Sequence, residues 1–191
     1  MNTRRAYSME VRGRRAEETR HRILEAARRQ FDAHASSFTL DSVARAAGTT
    51  VQTVLRAFGN KESLILAAIG TFRGRPTDFT VPTSPSEAVE QVFHDYEEIG
   101  DRVIRLLADE QRVAGFAEVA RHGREHHRVW VESAFADELR RVPATERDEV
   151  VAALVAATDV YVWKLLRRDQ GLERAAAEQV MRRLVDGIVD R

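Results

Sequence analysis

The chain contains no cysteine, only four prolines and no long apolar run. The absence of cysteine excludes disulfides and thiolate metal sites. The longest apolar stretch is the eight residues Val150 to Ala157, whereas a membrane-spanning helix needs about 20 residues. The N-terminal residues are charged and lack the apolar segment of a secretory signal. We therefore expect a cytoplasmic protein that has no membrane partner.

A net charge is also absent, but only when the whole chain is counted, because 30 Lys and Arg balance 30 Asp and Glu. Residues 1–75 carry 14 basic against 7 acidic side chains, and residues 76–191 carry 16 against 23. A basic first part joined to an acidic remainder suggests that only the first part meets a polyanion. Ordinary scatter of charge is the alternative interpretation.

Apolar residues recur at helical spacing along nearly the whole chain, and no strand pattern competes. The sequence therefore predicts an all-α protein, with an N-terminal helical bundle and a larger C-terminal helical bundle. Three of the four prolines lie in residues 73–85, which marks a boundary. The predicted parts are a basic flexible arm (1–16), an N-terminal helical domain (17–72), a linker (73–84) and a C-terminal helical domain (85–191). Within the last part we expect helices over 85–108, 109–121, 124–141, 145–168 and 173–189.

Two short amphipathic runs lie inside the first domain, separated by Gly48. The first apolar stripe is Leu40, Val43, Ala44 and Ala47, and the second is Val51, Val54, Leu55 and Phe58. Thr39 and Thr50 can cap the two helices, and a further helix can begin after Asn60. Two short helices joined by a tight glycine turn form a helix-turn-helix, whose second helix enters the major groove of DNA.

The second short helix carries polar side chains opposite its apolar stripe. Gln52 and Arg56 are four residues apart and so share a face, with Thr53 nearby. Glutamine can pair with adenine, and arginine with guanine or a phosphate. Lys61 at the next helix start is placed for a phosphate. For each residue alone, a solvated helix face is the competing interpretation.

The N-terminal arm carries five arginines that could add salt-sensitive affinity for DNA. They are Arg4, Arg5, Arg12, Arg14 and Arg15. Arg14 and Arg15, which are nearer the bundle, are the candidates for DNA contact. A disordered solubilising tail is an equal alternative for Arg4 and Arg5.

This segment resembles the DNA-binding domain of the TetR family of transcriptional regulators. The resemblance rests on Arg22-Ile23-Leu24-Glu25-Ala26-Ala27, Phe31, Thr39-Leu40-Asp41-Ser42-Val43-Ala44, Ala46-Ala47-Gly48, Thr53, Arg56, Phe58 and Asn60-Lys61-Glu62-Ser63-Leu64. It implies an all-helical homodimer in which the N-terminal helix-turn-helix three-helix bundle (17–72) binds DNA, and the larger C-terminal domain (85–191) binds an effector and dimerises. Thr39 and Lys61 would contact phosphates, and residues 49–53 and 56 would face the groove. The complete set of candidate DNA-binding residues is Arg14, Arg15, Thr39, Thr49, Thr50, Gln52, Thr53, Arg56 and Lys61.

The chain departs from the family pattern at three places in the second short helix. Leu55 stands where the family usually has an aromatic residue, often tyrosine, whose hydroxyl touches a phosphate. Ala57 replaces a frequent histidine, and Val51-Gln52 replaces a frequent Lys-Gly pair. Val51 could meet a thymine methyl group, although its spacing favours the apolar stripe.

The last two predicted helices carry apolar stripes that suggest a dimer surface, with intramolecular packing as the alternative. The candidate interface residues are Val151, Leu154, Val155, Thr158, Val162, Leu165, Val180, Met181, Leu184 and Ile188. Aromatic residues of the second domain could contact an effector, although core packing is the more common role for each. They are Phe93, Tyr96, Phe116, Trp130 and Phe135.

His122, Glu125, His126 and His127 invite a metal interpretation, but the sequence indicates no further ligand or second shell. We therefore expect no metal and no cofactor. No catalytic motif is present, so we expect no enzyme activity. The sequence predicts a regulator that binds double-stranded operator DNA, acting as a repressor that a small-molecule effector releases. The alternatives are an architectural DNA-binding dimer without a ligand cavity, and a helical enzyme or metal-binding bundle with an incidental helix-turn-helix.

Overall fold

A computed structural model describes residues 3–70 and 81–190, with only the backbone described for residues 3–12. Within these ranges there is no β-strand, and the prediction of an all-α fold is confirmed. The helices are α1 (Thr3–His34), α2 (Leu40–Ala46), α3 (Val51–Phe58), α4 (Lys61–Ile69), α5 (Pro85–Ala108), α6 (Phe116–Ala134), α7 (Ala136–Arg141), α8 (Arg147–Ala157), α9 (Val160–Lys164) and α10 (Arg174–Val189). A 3-10 turn (Ala35–Ser37) follows α1, and a π-helical turn (Leu165–Asp169) extends α9.

The chain divides into two compact units. The first unit comprises Met1–Gly70 and Asp109–Val119, and the second comprises Thr71–Ala108 and Ala120–Arg191. Residues 73–80 of the predicted linker lie outside the described residues. Residues 109–119, which the sequence analysis placed in the C-terminal domain, pack with the first unit, because their apolar side chains are buried there.

Helix α1 includes residues that the sequence analysis assigned to a flexible arm. The helix is continuous from Thr3 to His34, so residues 3–16 are helical rather than irregular. The run holds no proline and is rich in Arg, Glu and Ala, which favour helix. A helix whose later turns are fixed by packing can extend through such residues at little cost.

The core of the first unit is built on three phenylalanines. Phe31 of α1 lies 5.7 Å from Phe38 and 5.4 Å from Phe116 between ring centroids. All three rings are buried. The large buried side chains of the first four helices include Ile23, Val43, Val54, Phe58, Leu64, Ile65 and Ile69, and the segment 109–119 adds Val113 and Val119. Phe72 continues the helical spacing of Leu64, Ile65 and Ala68 in the sequence, and it lies outside the described residues.

The core of the second unit forms where α5 packs against α9 and α10. Trp163 of α9 is completely buried and lies 6.2 Å from the ring of Tyr96 on α5. Gly100 allows this close approach, because a Cβ atom at this position would lie 2.6 Å from the Trp163 ring. Within the described part of the chain, no helix has both the length and the apolar character that a bilayer crossing requires.

Three helix boundaries differ from the prediction. Residues 109–115 form turns that end at Gly115, whose φ of 91° suits glycine, so no helix spans 109–121. The expected helix over 124–141 is interrupted at Phe135, between α6 and α7. The expected helix over 145–168 breaks at Thr158 and Asp159, because the Asp159 side chain accepts a hydrogen bond from the Tyr161 N–H at 2.8 Å and starts a new helix.

Candidate nucleic-acid interface

The turn between α2 and α3 closes through two backbone hydrogen bonds. The Gly48 N–H donates to the Arg45 carbonyl at 3.2 Å, and the Thr49 N–H donates to the Ala44 carbonyl at 2.9 Å. This pair of bonds is a Schellman motif, which requires a left-handed residue. Gly48 supplies it with a φ of 62°. The motif ends α2 and turns the chain within three residues, as the helix-turn-helix prediction requires.

Helix α3 begins immediately after this turn at a threonine cap. The Thr50 hydroxyl accepts a hydrogen bond from the Thr53 N–H at 3.2 Å and lies 3.0 Å from the Thr53 hydroxyl. Thr50 is exposed, and Thr49 and Thr53 are half-buried. The cap fixes where α3 starts, and therefore fixes which residues lie on each of its faces.

The faces of α3 are sharply different. Val54 and Phe58 are buried against the unit, whereas Gln52 and Arg56 are exposed. The predicted polar face is therefore available to a partner. The prediction that Leu55 belongs to the buried apolar stripe is wrong, because the structure leaves its side chain 37% exposed. A helix of eight residues offers a narrow contact face, and Val54 and Phe58 already fill it.

The start of α2 is held by a network around Thr39. The Thr39 hydroxyl accepts from the Ser42 N–H at 3.1 Å, and the Ser42 hydroxyl lies 3.2 Å from the Thr39 nitrogen, which forms a capping box. The Gln30 amide of α1 donates to the Ser42 hydroxyl at 2.5 Å and to the Ser37 carbonyl at 3.0 Å. Thr39 is exposed, so its hydroxyl is accessible at this corner of the unit.

Helix α4 begins at Lys61, directly after its cap. The Asn60 side chain accepts from the Ser63 N–H at 2.7 Å. Lys61 is half-buried, and this burial lowers the pKa of its ammonium group, while the neighbouring Glu62 acts in the opposite direction. A bound phosphate would counter the effect of burial, because an adjacent negative charge favours the protonated lysine.

Arg20 contributes to the position of α3, a role that the sequence does not reveal. Its guanidinium lies over the Phe58 ring, 4.2 Å from the centroid, and donates to the Ala57 carbonyl. Both contacts are with the last turn of α3, where cations are favoured by the helix dipole. Arg20 therefore fixes α3 against α1. Nothing local distinguishes Arg20 from the other arginines of α1, so only the packing reveals its role.

Arg14 and Arg15 lie on α1, where both side chains are exposed. Arg4, Arg5 and Arg12 belong to the part of α1 whose side chains the structure does not describe. The exposed basic residues of this unit thus extend from α1 to α3.

A compact bundle with a tight turn and a capped second helix defines a helix-turn-helix, which is a DNA-binding class of protein. Residues 23–68 match the sequence model of a family described as bacterial regulatory proteins, tetR family. Residues 23–68 therefore form a DNA-binding domain of the tetR type, and the chain is a DNA-binding transcriptional regulator. A comparison with curated proteins gave no match.

The aromatic residues considered for effector contact lie in both units. Phe93, Tyr96, Trp130 and Phe135 are buried in the second unit, and Trp130 lies 6.2 Å from Phe135 in an edge-to-face arrangement. Phe116 belongs to the core of the first unit, as described above.

A buried polar group accompanies the aromatic residues of the second unit. The Tyr96 hydroxyl donates to the Thr158 carbonyl at 3.1 Å, and its burial raises the pKa of Tyr96. The Thr158 hydroxyl donates to the Leu154 carbonyl at 2.7 Å and lies 3.0 Å from Nε2 of His127. While the hydroxyl donates its single proton to Leu154, it can only accept from Nε2–H of His127. The sequence gives no sign of this contact between His127 and Thr158.

The candidate dimer residues fall into two groups. Val151, Leu154, Thr158 and Met181 are buried within the protomer, so for these the alternative of intramolecular packing holds. Leu165 and Leu184 are exposed, and Val155, Val162, Val180 and Ile188 are half-buried. Across residues 13–70 and 81–190, whose side chains the structure describes, no group of three or more His, Asp and Glu side chains is arranged to hold a metal ion.

Proposed function

We propose that the protein is a homodimeric repressor that leaves its operator when a small molecule binds the second unit. The observation that carries the DNA-binding part is the contrast on α3. Val54 and Phe58 fix the helix to the unit, and Gln52 and Arg56 extend from its opposite side. A short helix with this arrangement can reach base edges in a groove about 12 Å wide.

The exposed side chains of the first unit match the chemistry of a duplex. Gln52 can bind adenine through N6 and N7, and Arg56 can bind guanine through O6 and N7. The hydroxyls of Thr49 and Thr50 lie at the start of α3, and Lys61 lies at the start of α4, where helix N–H groups also favour an anion. These groups, with Thr39, are suited to phosphates on either side of the groove.

An apolar surface on the second unit supports the proposed homodimer. On α10, Ala177, Met181 and Val185 are buried, whereas Val180, Leu184 and Ile188 form a parallel outer stripe. On α9 and its π-helical extension, Tyr161 is 55% exposed and Leu165 is 47% exposed.

Exposed apolar side chains that cluster on a surface are typical of an interface between proteins. A two-fold dimer would present two copies of α3 to half-sites about 34 Å apart, or a multiple of this spacing.

The ligand response would be a shift between two populations. A small molecule that binds the second unit more tightly in a DNA-incompetent state must reduce DNA affinity, and operator DNA must reduce ligand affinity equally.

The DNA-binding part is tested by selecting bound fragments from genomic DNA and measuring affinity for the selected duplex and for a scrambled one. Gln52→Ala should cost about 1–3 kcal/mol at one base pair and relax specificity there. Lys61→Ala should weaken both duplexes alike and reduce the salt slope by about 1. A strictly monomeric protein with no preference for any duplex would overturn the proposal.

The ligand part needs a separate measurement. Thermal shift across a metabolite library should identify compounds that raise the melting temperature of the whole chain, and these compounds should release the selected duplex. A library without any stabilising compound, combined with sequence-specific binding, would instead support an architectural DNA-binding dimer.

A further inference from the structure

Leu55 is an apolar side chain on the face of α3 that otherwise carries polar residues. Its side chain is 37% exposed, whereas the preceding Val54 is completely buried. At 100° per residue, Leu55 lies about 60° from Gln52 around the helix and Gln52 lies about 40° from Arg56. The three side chains therefore share one surface, and leucine is the only one of them that cannot form a hydrogen bond.

We propose that Leu55 contacts the 5-methyl group of a thymine in the major groove and thereby contributes to operator choice. This inference rests on the proposed function, since it requires α3 to enter the groove. It assigns a role in base recognition to a residue that the sequence analysis assigned to the core.

The chemistry of the groove selects thymine as the partner. The edges of the other bases present hydrogen-bond donors and acceptors there, and the thymine methyl is the apolar feature of the major groove. Burying a leucine against a donor or acceptor would leave that group unpaired, which is costly. Contact with a methyl group instead removes apolar surface of both partners from water.

The spacing along α3 places the thymine relative to the other base contacts. Leu55 follows Gln52 by three residues, which is about 4.5 Å along the helix axis. Successive base pairs are about 3.4 Å apart. The thymine should therefore lie one or two base pairs from the pair that Gln52 reads. The sequence of α3 contains no acidic residue that would repel the DNA at this point.

The experiment uses the full-length protein and the duplex obtained by selection. Each thymine of the half-site is replaced in turn by deoxyuridine, which removes the methyl group and preserves every hydrogen-bonding atom. For the wild-type protein, one position should show binding that is about fourfold weaker per half-site, as expected for loss of one buried methyl.

The variant Leu55→Ala should bind the thymine and deoxyuridine duplexes equally at that position. Gln52→Ala should weaken binding but keep the difference between the two duplexes. Leu66→Ala is the matched control, because Leu66 is an exposed leucine of the same unit, at 46%, on α4 rather than on α3. It should keep both the affinity and the difference. Circular dichroism checks that each variant is folded.

The possible results separate this inference from the proposed function. The role of Leu55 alone is overturned if Leu55→Ala still binds the thymine duplex more tightly than the deoxyuridine duplex. It is also overturned if the protein binds a duplex specifically but loses affinity at no thymine when the methyl group is removed. Failure to select any duplex overturns the proposed function and this inference with it. The assignment is supported if the affinity difference between the thymine and deoxyuridine duplexes is lost in Leu55→Ala but kept in Gln52→Ala and Leu66→Ala.

Discussion

The polar contacts around the helix-turn-helix of the first unit and those around Glu97 in the second unit join residues at very different separations along the chain. In the first unit, the caps of α2, α3 and α4 each join residues three positions apart, as in Thr50 with Thr53 and Asn60 with Ser63. In the second unit, Glu97 of α5 bonds to Trp163 and Arg167, which are 66 and 70 residues away. The starts of α2, α3 and α4 are thus defined locally, whereas the contacts of Glu97 form only when α5 and α9 are packed together.

The contacts of Glu97 show what this dependence involves. Its carboxylate accepts from Nε1 of Trp163 at 2.8 Å and from Nε and Nη2 of Arg167 at 2.7 and 2.9 Å. The Arg167 contact is the main reason that the pKa of Glu97 lies below its usual value. Arg167 also donates to the Leu172 carbonyl at 2.6 Å, so the same group fixes the chain between the π-helical turn and α10. Losing one side chain here affects three helices.

The largest effect should come from Trp163→Ala. This change removes a fully buried ring and one partner of Glu97, and should reduce the free energy of unfolding by about 3–5 kcal/mol. Denaturant unfolding followed by circular dichroism measures it. Trp163→Phe, which keeps much of the ring volume but not the N–H donor, should lose less. A loss below about 1 kcal/mol for the alanine variant would contradict the central place given to this residue.

A pair of glycines gives a smaller and more specific test of the second unit. An added methyl group at Gly100 would collide with the Trp163 ring, and Gly100→Ala should cost about 1–3 kcal/mol. Gly123 lies in α6 with no atom within 4 Å of an added Cβ. Gly123→Ala should therefore raise stability, by up to about 1 kcal/mol, through helix propensity. Thermal unfolding of both variants provides the comparison, and changes of the same sign would contradict it.

A cap in the first unit should show a more local effect. Asn60→Ala removes the acceptor for the Ser63 N–H and should cost about 1 kcal/mol. Asn60→Asp is the control, since a carboxylate can accept the same bond and favours the helix dipole. Chemical unfolding of the full chain measures both. If Asn60→Asp loses as much as Asn60→Ala, the side-chain cap is not what stabilises the start of α4.

The same difference in reach explains which features the sequence could predict. The starts of α2, α3 and α4 follow from Thr39, Thr50 and Asn60, because each cap is encoded within four residues. The burial of Phe116 with Phe31 could not be predicted, since it joins residues that are far apart in the chain. Periodicity also misplaced Leu55, because it identifies an apolar edge of α3 but cannot show how wide a strip the neighbouring helices cover.

The interruption of the predicted helix over 145–168 could have been predicted from Asp159, but the helical spacing of the apolar residues favoured one continuous helix. Asp159 is a good cap residue inside an apolar run, and its side chain does start a helix. The contacts of Thr158 with Tyr96 and His127 could not be foreseen, because they depend on how α5 and α6 meet α8.

The smallest expected effect is the pH response of His127 in the second unit. Burial against Trp130 and Thr158 lowers the pKa of His127, which Asp159 partly offsets and His126 reinforces. The unfolded chain therefore takes up a proton at a higher pH than the folded one, and stability should fall as the pH decreases below the ordinary value of 6.5.

His127→Gln should flatten this fall between about pH 7.5 and about pH 5.5, where histidine ordinarily titrates. His21→Gln, at an exposed position of the first unit, is the matched control variant. Urea unfolding at several pH values measures the slopes. Equal slopes for wild type and His127→Gln would show that the proton is taken up elsewhere, and that the contact between α6 and Thr158 does not depend on a neutral imidazole.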